Sequence, residues 1–318
     1  MRTHSHTRSK QKSDGNGHVT MPDVEPETDE PDDIEMTTAP AEDAGCFVPT
    51  LPTRLLDEAA QLAARINPVN APYTQNAIPE GGPMISELAV LVSKYWGRRR
   101  RTLTVSFTET TANDLKQRIL GHMNAWNIGV RFALTNGVGQ VRISRAGQGY
   151  WSYLGTDVLL IPQNRPTMNL QGFTMSISEA EFRRVVRHET GHTLGFPHEH
   201  LRRALIDRLD VAKTIAYFRD TYGWSEAQTR SNVLTPLEER SIMASAVTDQ
   251  DSVMCYHLPG RITKNGQPIR GGPDISAIDR AFARRIYPTG FWPFFDETTT
   301  WDESEDVSLE DALALAQA

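Results

Sequence analysis

The sequence predicts an α+β domain. Three observations carry this: a strand followed by an amphipathic helix after residue 102, further short strand patterns up to residue 170, and helical patterns beyond residue 178. Leu103, Val105 and Phe107 alternate, which makes Thr102–Thr108 a half-buried strand. Leu115, Ile119, Met123 and Trp126 follow at helical spacing. Strand patterns then recur at Val130–Leu134, Gln140–Ser144, Val158–Ile161 and Thr167–Leu170. Ser178 and Glu181 form an S-x-x-E capping pattern, which opens a helix whose Phe182, Val185 and Val186 supply buried contacts. A second such pattern, Ser276 and Asp279, opens a helix carrying Ile278, Phe282 and Ile286, and Tyr287-Pro288 ends it.

The region before the first strand reads as helical. Leu55, Leu56, Ala59, Leu62 and Ile66 share one face of a helix over Thr53–Ile66, which Asn67-Pro68 stops. Pro72–Pro83 reads as loop, and Ile85–Trp96 as a second helix packed on the main domain. There is no internal repeat. The expected organisation is an acidic disordered segment over 1–45, a helical or prosegment-like extension over 46–99, a main domain over 100–290 and an acidic tail over 291–318.

Chemistry concentrates in His188-Glu189-Thr190-Gly191-His192-Thr193-Leu194-Gly195-Phe196-Pro197-His198-Glu199. His188 and His192 are four residues apart, so a helix puts them one turn apart on one face. Gly195 can end that helix and turn the chain, returning His198 as a third nitrogen ligand. Three neutral imidazoles and an open position make a catalytic zinc site, and Glu189 is placed to handle the protons of a water activated there. A bare HExxH recurs by chance. The added glycine, third histidine and glutamate make this form specific.

Downstream, Asp251-Ser252-Val253-Met254-Cys255-Tyr256 looks like the Met-turn that follows the zinc helix in metzincin proteases. The chain therefore resembles the metzincins, and within them the astacin-like branch, through Gly195-Phe196, Glu199, Arg202 and Tyr256. The resemblance covers roughly residues 103–288. It implies a metzincin-type fold: a mixed sheet, an active-site helix and a smaller C-terminal subdomain. It implies one Zn2+ held by His188, His192 and His198, Glu189 as general base, and Met254 as a hydrophobic floor beneath the metal. Tyr256 would approach the metal, swing away and stabilise the tetrahedral oxyanion. Glu199 would contact the mature N-terminus in a processed family member, or serve an internal salt bridge here. The activity implied is zinc-dependent endopeptidase action on a polypeptide bound along an edge strand. The alternative is a non-catalytic, zinc-stabilised peptide-binding module, which the intact Glu189 disfavours. A leaderless toxin-like effector would share the same chemistry.

Several residues carry two readings. Gly149-Tyr150-Trp151-Ser152-Tyr153-Leu154-Gly155 resembles the segment before the metzincin edge strand, expected at Thr167–Leu170, and also reads as aromatic core. His200 and His257 read as supporting or surface histidines, since the ligand set is complete without them. Arg98–Arg101 reads as a solvated loop entering the strand in preference to a processing site. Cys46 reads as a linker cysteine in preference to a thiol that caps the zinc and keeps the enzyme latent.

Composition bounds the rest. Residues 1–45 hold 11 acids and 4 bases, and 296–318 hold 8 acids and no base. The remainder holds 21 acids and 29 bases, so the formal charge of −7 belongs to the ends. Both ends lack a core-facing apolar pattern of useful length. Two cysteines, Cys46 and Cys255, exclude a disulfide-framed domain. Met1–Thr20 is polar and basic with no apolar stretch, so no secretory signal is read, and cytoplasmic placement or leaderless secretion is expected. No integral membrane segment and no nucleic-acid partner are expected.

Overall fold

The computed structural model describes residues 46–71, 93–237 and 248–289. The expectations for 1–45, for the loop and most of the helix over 72–96, and for the tail beyond 289 lie largely outside these residues.

A five-stranded mixed sheet forms the upper part. Its strands are β1 (Arg101–Phe107), β2 (Val130–Leu134), β3 (Val141–Ser144), β4 (Tyr150–Ser152) and β5 (Met168–Leu170), in the order β2-β1-β3-β5-β4. All neighbours are parallel except β4, which runs antiparallel to β5. The sheet therefore ends at β4 on this side, and the strand at Thr167–Leu170, expected as the edge, is interior. Leu103 and Val105 form the buried face of β1, whose other face is partly open at Thr102 and Thr104, while every residue of β3 and β5 is buried, as interior strands covered on both faces require.

Helix α1 (Leu56–Ile66), led in by a 3-10 turn at Thr53–Leu55, matches the expectation. It buries Ala59 and Ala63. Its end is tied to the domain by Asn70, whose Nδ2 donates to the Ala63 carbonyl at 3.0 Å and to the Tyr95 carbonyl at 2.7 Å. Helix α2 (Asn113–Met123) continues as a 3-10 turn through Trp126.

Two expectations are corrected. Val158–Ile161 is not a strand, because a 3-10 run occupies Gly155–Leu160. Gly155 enters it at φ 49°, against the Lys94 carbonyl, where a Cβ would collide. Lys94 and Asp157 pair at 3.2 Å. A four-residue apolar run has no period long enough to separate strand from helix. The end of the second expected helix, Ser93–Trp96, is also non-helical. Tyr95 and Trp96 are fully buried there, and Trp96 Nε1 donates to the Thr193 carbonyl at 2.8 Å. These contacts hold the chain extended.

Two hydrophobic cores result. The larger gathers the sheet, α2, Phe182, Val185, Val186, Phe196 and Met254. The smaller gathers Leu205, Leu209, Phe218, Trp224, Val233, Cys255, Tyr256, Leu258, Ile262 and Ile269 around α4 (Val211–Tyr222). Asp210 caps α4 through its bond from the Lys213 N–H, and Gly223, at φ 70°, ends it. This α+β arrangement, a mixed sheet with a smaller C-terminal subdomain, is the one the sequence predicts. Among the described residues no helix is long and apolar enough to cross a membrane.

Candidate functional site

One helical run supplies most of the site. It starts at Glu179–Glu181, where the Ser178 side chain accepts from the Glu181 N–H, passes a π turn over Phe182–Val186, and continues as α3 (Arg187–Thr193). Its last carbonyls are all satisfied. Gly195, at φ 96°, places its N–H 2.8 Å from the His192 carbonyl, and Phe196 N–H reaches the Gly191 carbonyl at 2.9 Å. That paired closure is a Schellman motif, which needs the left-handed glycine. Trp96 Nε1 and the Tyr287 hydroxyl take the Thr193 and Leu194 carbonyls. The turn swings His198 under α3.

His188, His192 and His198 converge. His192 Nε2 lies 3.1 Å from His188 Nε2 and 3.0 Å from His198 Nε2. His188 Nδ1 meets the Val253 carbonyl at 2.5 Å, and His192 Nδ1 meets the Phe196 carbonyl at 2.8 Å. A carbonyl can only accept, so in both rings the proton is on Nδ1 and Nε2 carries a bare lone pair. Two such lone pairs at 3.1 Å repel, and a shared cation removes the conflict. Tetrahedral zinc with Zn–N near 2.0–2.1 Å sets its nitrogens about 3.3 Å apart, close to this spacing. Burial pushes all three histidines down, His188 to about 4, which keeps them neutral and ready to ligate. The three residues fit zinc.

Glu189 is 1% exposed and burial pushes it up to about 8, against a lowering bond from Cys46 and the charge of Arg184. That range suits a group that takes and returns a proton.

Met254 sits beneath. A Cβ on Gly191 would collide with the Met254 sulfur, so the glycine between the two helical histidines is what lets the floor approach. The turn carrying Met254 is held by Asp279, the N3 residue of α5 (Ala277–Ile286). Its carboxylate completes the cap with Ser276 and also accepts from Ser252 Oγ at 2.7 Å and Val253 N–H at 2.9 Å. The sequence marks Asp279 as a cap. Its hold on the Met-turn is a missed role.

Tyr256 is buried against the histidine cluster, its ring 4.4 Å from that of His198. Its hydroxyl has no hydrogen-bond partner among the described residues. Glu199 accepts from the Asp249 N–H at 3.0 Å and pairs with Arg202 at 3.7 Å. Its neighbourhood is a small cavity lined by Tyr95, Phe196, Asp249 and Asp279, and burial pushes its carboxyl up to about 7. His257 is an exposed histidine bonded to the Arg270 carbonyl. His200 is fully buried.

Cys46 departs from the linker reading. Its sulfur and one nitrogen of each of the three histidines all lie within 4.8 Å of one another. The thiol also donates to Glu189 Oε2 at 3.3 Å. Burial, together with the adjacent Glu189, pushes that thiol up. A cation at the histidines would reverse this preference. Phe47 forms a parallel bridge to Trp151 on β4, with ring centroids 6.2 Å apart. Cys46 belongs to the lower core and Phe47 and Leu51 to the upper, so this segment joins the two cores.

The arginine run enters β1 as the expected loop, with Arg99 and Arg100 exposed. Arg101 opens β1 with its guanidinium over the Trp96 ring, and Arg100 donates to the Thr289 carbonyl. Cleavage there would detach the buried Tyr95 and Trp96.

No protein-family model matches the chain, and no curated protein matches it. Among solved structures it is similar to myroilysin, at 30% identity over 62% of this chain and 97% of that one, with a TM-score of 0.58. A second myroilysin structure aligns at 29% identity over 62% of this chain and 86% of that one, with a TM-score of 0.48. High choriolytic enzyme 1, a hatching enzyme zinc-protease from the medaka fish Oryzias latipes, aligns at 19% identity over 57% of this chain and 87% of that one, with a TM-score of 0.40.

Proposed function

Because the chain belongs to the astacin-like branch of the metzincins and is a zinc metalloendopeptidase, we propose that His188, His192 and His198 hold its zinc and Glu189 is its general base. The observation that carries this is the convergence of three buried imidazole nitrogens, two of them fixed as lone-pair donors by carbonyl bonds on the far side of the ring. Zinc, when bound, supplies a Lewis acid that polarises the scissile carbonyl and makes water nucleophilic near neutral pH.

The chain's own residues do the rest. Glu189 takes a proton from the attacking water and delivers it to the leaving amine nitrogen. Burial excludes bulk water from that transfer. The unpartnered Tyr256 hydroxyl donates to the oxyanion as the carbonyl becomes tetrahedral. Once Phe47 leaves it, an extended polypeptide pairs along the outer edge of β4, which Ser152 fixes to α3 through a 2.9 Å contact with Thr193 Oγ1.

The chain as a whole is a latent form in this reading. Cys46 stands where a fourth ligand stands and occupies the general base, while Phe47 lies on the substrate edge. Residues 46–99 thus include a prosegment-like part. A site closed permanently by three histidines and one cysteine would instead be structural, the mark of a zinc-stabilised binding module.

N-terminomic profiling of a proteome-derived peptide library, with the Glu189→Ala protein as blank, separates the two. New internal N-termini absent from the blank are expected once Cys46 is removed or displaced. Identical profiles would leave the binding module standing.

A further inference from the structure

His200 directly follows the ligand-bearing motif, yet it is not one of the converging group. Its Nε2 lies 3.1 Å from the Asn232 carbonyl. That acceptor fixes the proton on Nε2 and anchors the ring to the π turn over Arg230–Leu234 in the lower subdomain. Its Nδ1 has no hydrogen-bond partner among the described residues. The ring lies nearly flat on Tyr256, with centroids 4.2 Å apart and planes 16° apart.

We propose that His200 is the positioning residue for Tyr256: a ring anchored by Asn232 that confines the phenol to one plane beside the histidine ligands and leaves its hydroxyl free for the oxyanion. The inference rests on Tyr256 being the oxyanion donor.

Three features support it together. First, a phenol at a cleft between two cores needs a wall to restrict its ring, and His198 at 4.4 Å and 54° does not supply a flat one. His200 does. Second, the one N–H of His200 goes to the Asn232 carbonyl, so the ring is held by its far edge and meets Tyr256 through its face. Third, the Tyr256 hydroxyl bonds to no described residue, so the packing of its ring sets its aim. A preset donor gains most in the transition state, so losing its alignment lowers kcat more than it raises KM.

The test uses the full chain carrying Cys46→Ser, so that the thiol does not interfere. His200→Ala is expected to lower kcat by about tenfold with KM within about twofold and zinc content unchanged. His200→Phe keeps a flat ring and is expected to recover most of that loss. In a Tyr256→Phe background, His200→Ala should cost less than about twofold, since there is no hydroxyl left to aim. In the metal-free protein, the ring signals of 13C-labelled Tyr256, assigned by difference from Tyr256→Phe, should be broadened or doubled by His200→Ala and single otherwise. Equal kcat losses in both backgrounds, or a Tyr256 signal unmoved by His200→Ala, overturn the inference while the oxyanion reading stands. If Tyr256→Phe itself leaves kcat unchanged, both fall. Should His200→Ala fail to fold, His200→Phe with Asn232→Pro, which perturbs the anchoring turn, carries the same comparison.

Discussion

Glu189→Ala is expected to bind zinc as the parent does and to lose peptide hydrolysis by on the order of 10³–10⁴-fold in kcat/KM, the range a positioned general acid–base supplies. Three observations set that size. The carboxylate is 1% exposed, so water cannot substitute for it freely. It is absent from the group of atoms that converge on the metal position, so its removal leaves the ligands in place. Its elevated proton affinity comes from burial, which is what allows one group to accept a proton in one step and release it in the next. Alanine leaves a small void beside Cys46 but no unpaired charge, so stability should change little. Glu189→Gln keeps the volume and should fail equally. Hydrolysis at near-parental rate by either variant would contradict the assignment, and loss of zinc would make Glu189 a ligand instead.

Cys46→Ser is expected to raise the activity of the full chain by about tenfold or more, because a hydroxyl is a far weaker zinc ligand than a thiolate. The gain is bounded by the rest of the segment. Phe47 and Leu51 are buried in the upper core and keep the chain over the cleft even without the sulfur. Adding Phe47→Ala should therefore raise activity further, since it removes the contact with Trp151 that occupies β4. The route matters for thiol reagents as well. Cys255 is also buried, and burial pushes both thiols up, so neither is an easy target for a reagent and the Cys46→Ser variant is the cleaner test. Equal activity of the parent and Cys46→Ser would remove the switch and return Cys46 to a packing role.

Much of this site was legible because its signals are local. His188, Glu189, His192, Gly195 and His198 lie within one helix and one turn, where spacing translates directly into geometry. Met254 and Tyr256 were legible only through the resemblance, since nothing in the spacing says that a turn some 60 residues later lies under Gly191. Cys46 was read as a linker for a related reason. Its contact with Glu189 spans 143 residues, and a lone cysteine carries no pattern that names a distant partner. Val158–Ile161 was misread because four apolar residues fit both a buried strand and a helical turn. The edge strand was placed one position too far inward. Tyr150–Ser152 is three residues long, below the length at which alternation identifies a strand. The dual service of Asp279, cap and clamp on the Met-turn, follows from tertiary packing that its S-x-x-D pattern does not encode.

X-ray absorption at the zinc edge tests the central claim most directly. The zinc-loaded full chain should hold about one zinc per chain, bound by three nitrogens and one sulfur at about 2.3 Å. Cys46→Ser should keep the zinc and the three nitrogens and lose the sulfur, and His192→Ala should lose the metal. A parent spectrum without sulfur would contradict the cap, and undiminished zinc in His192→Ala would contradict the three-histidine centre itself.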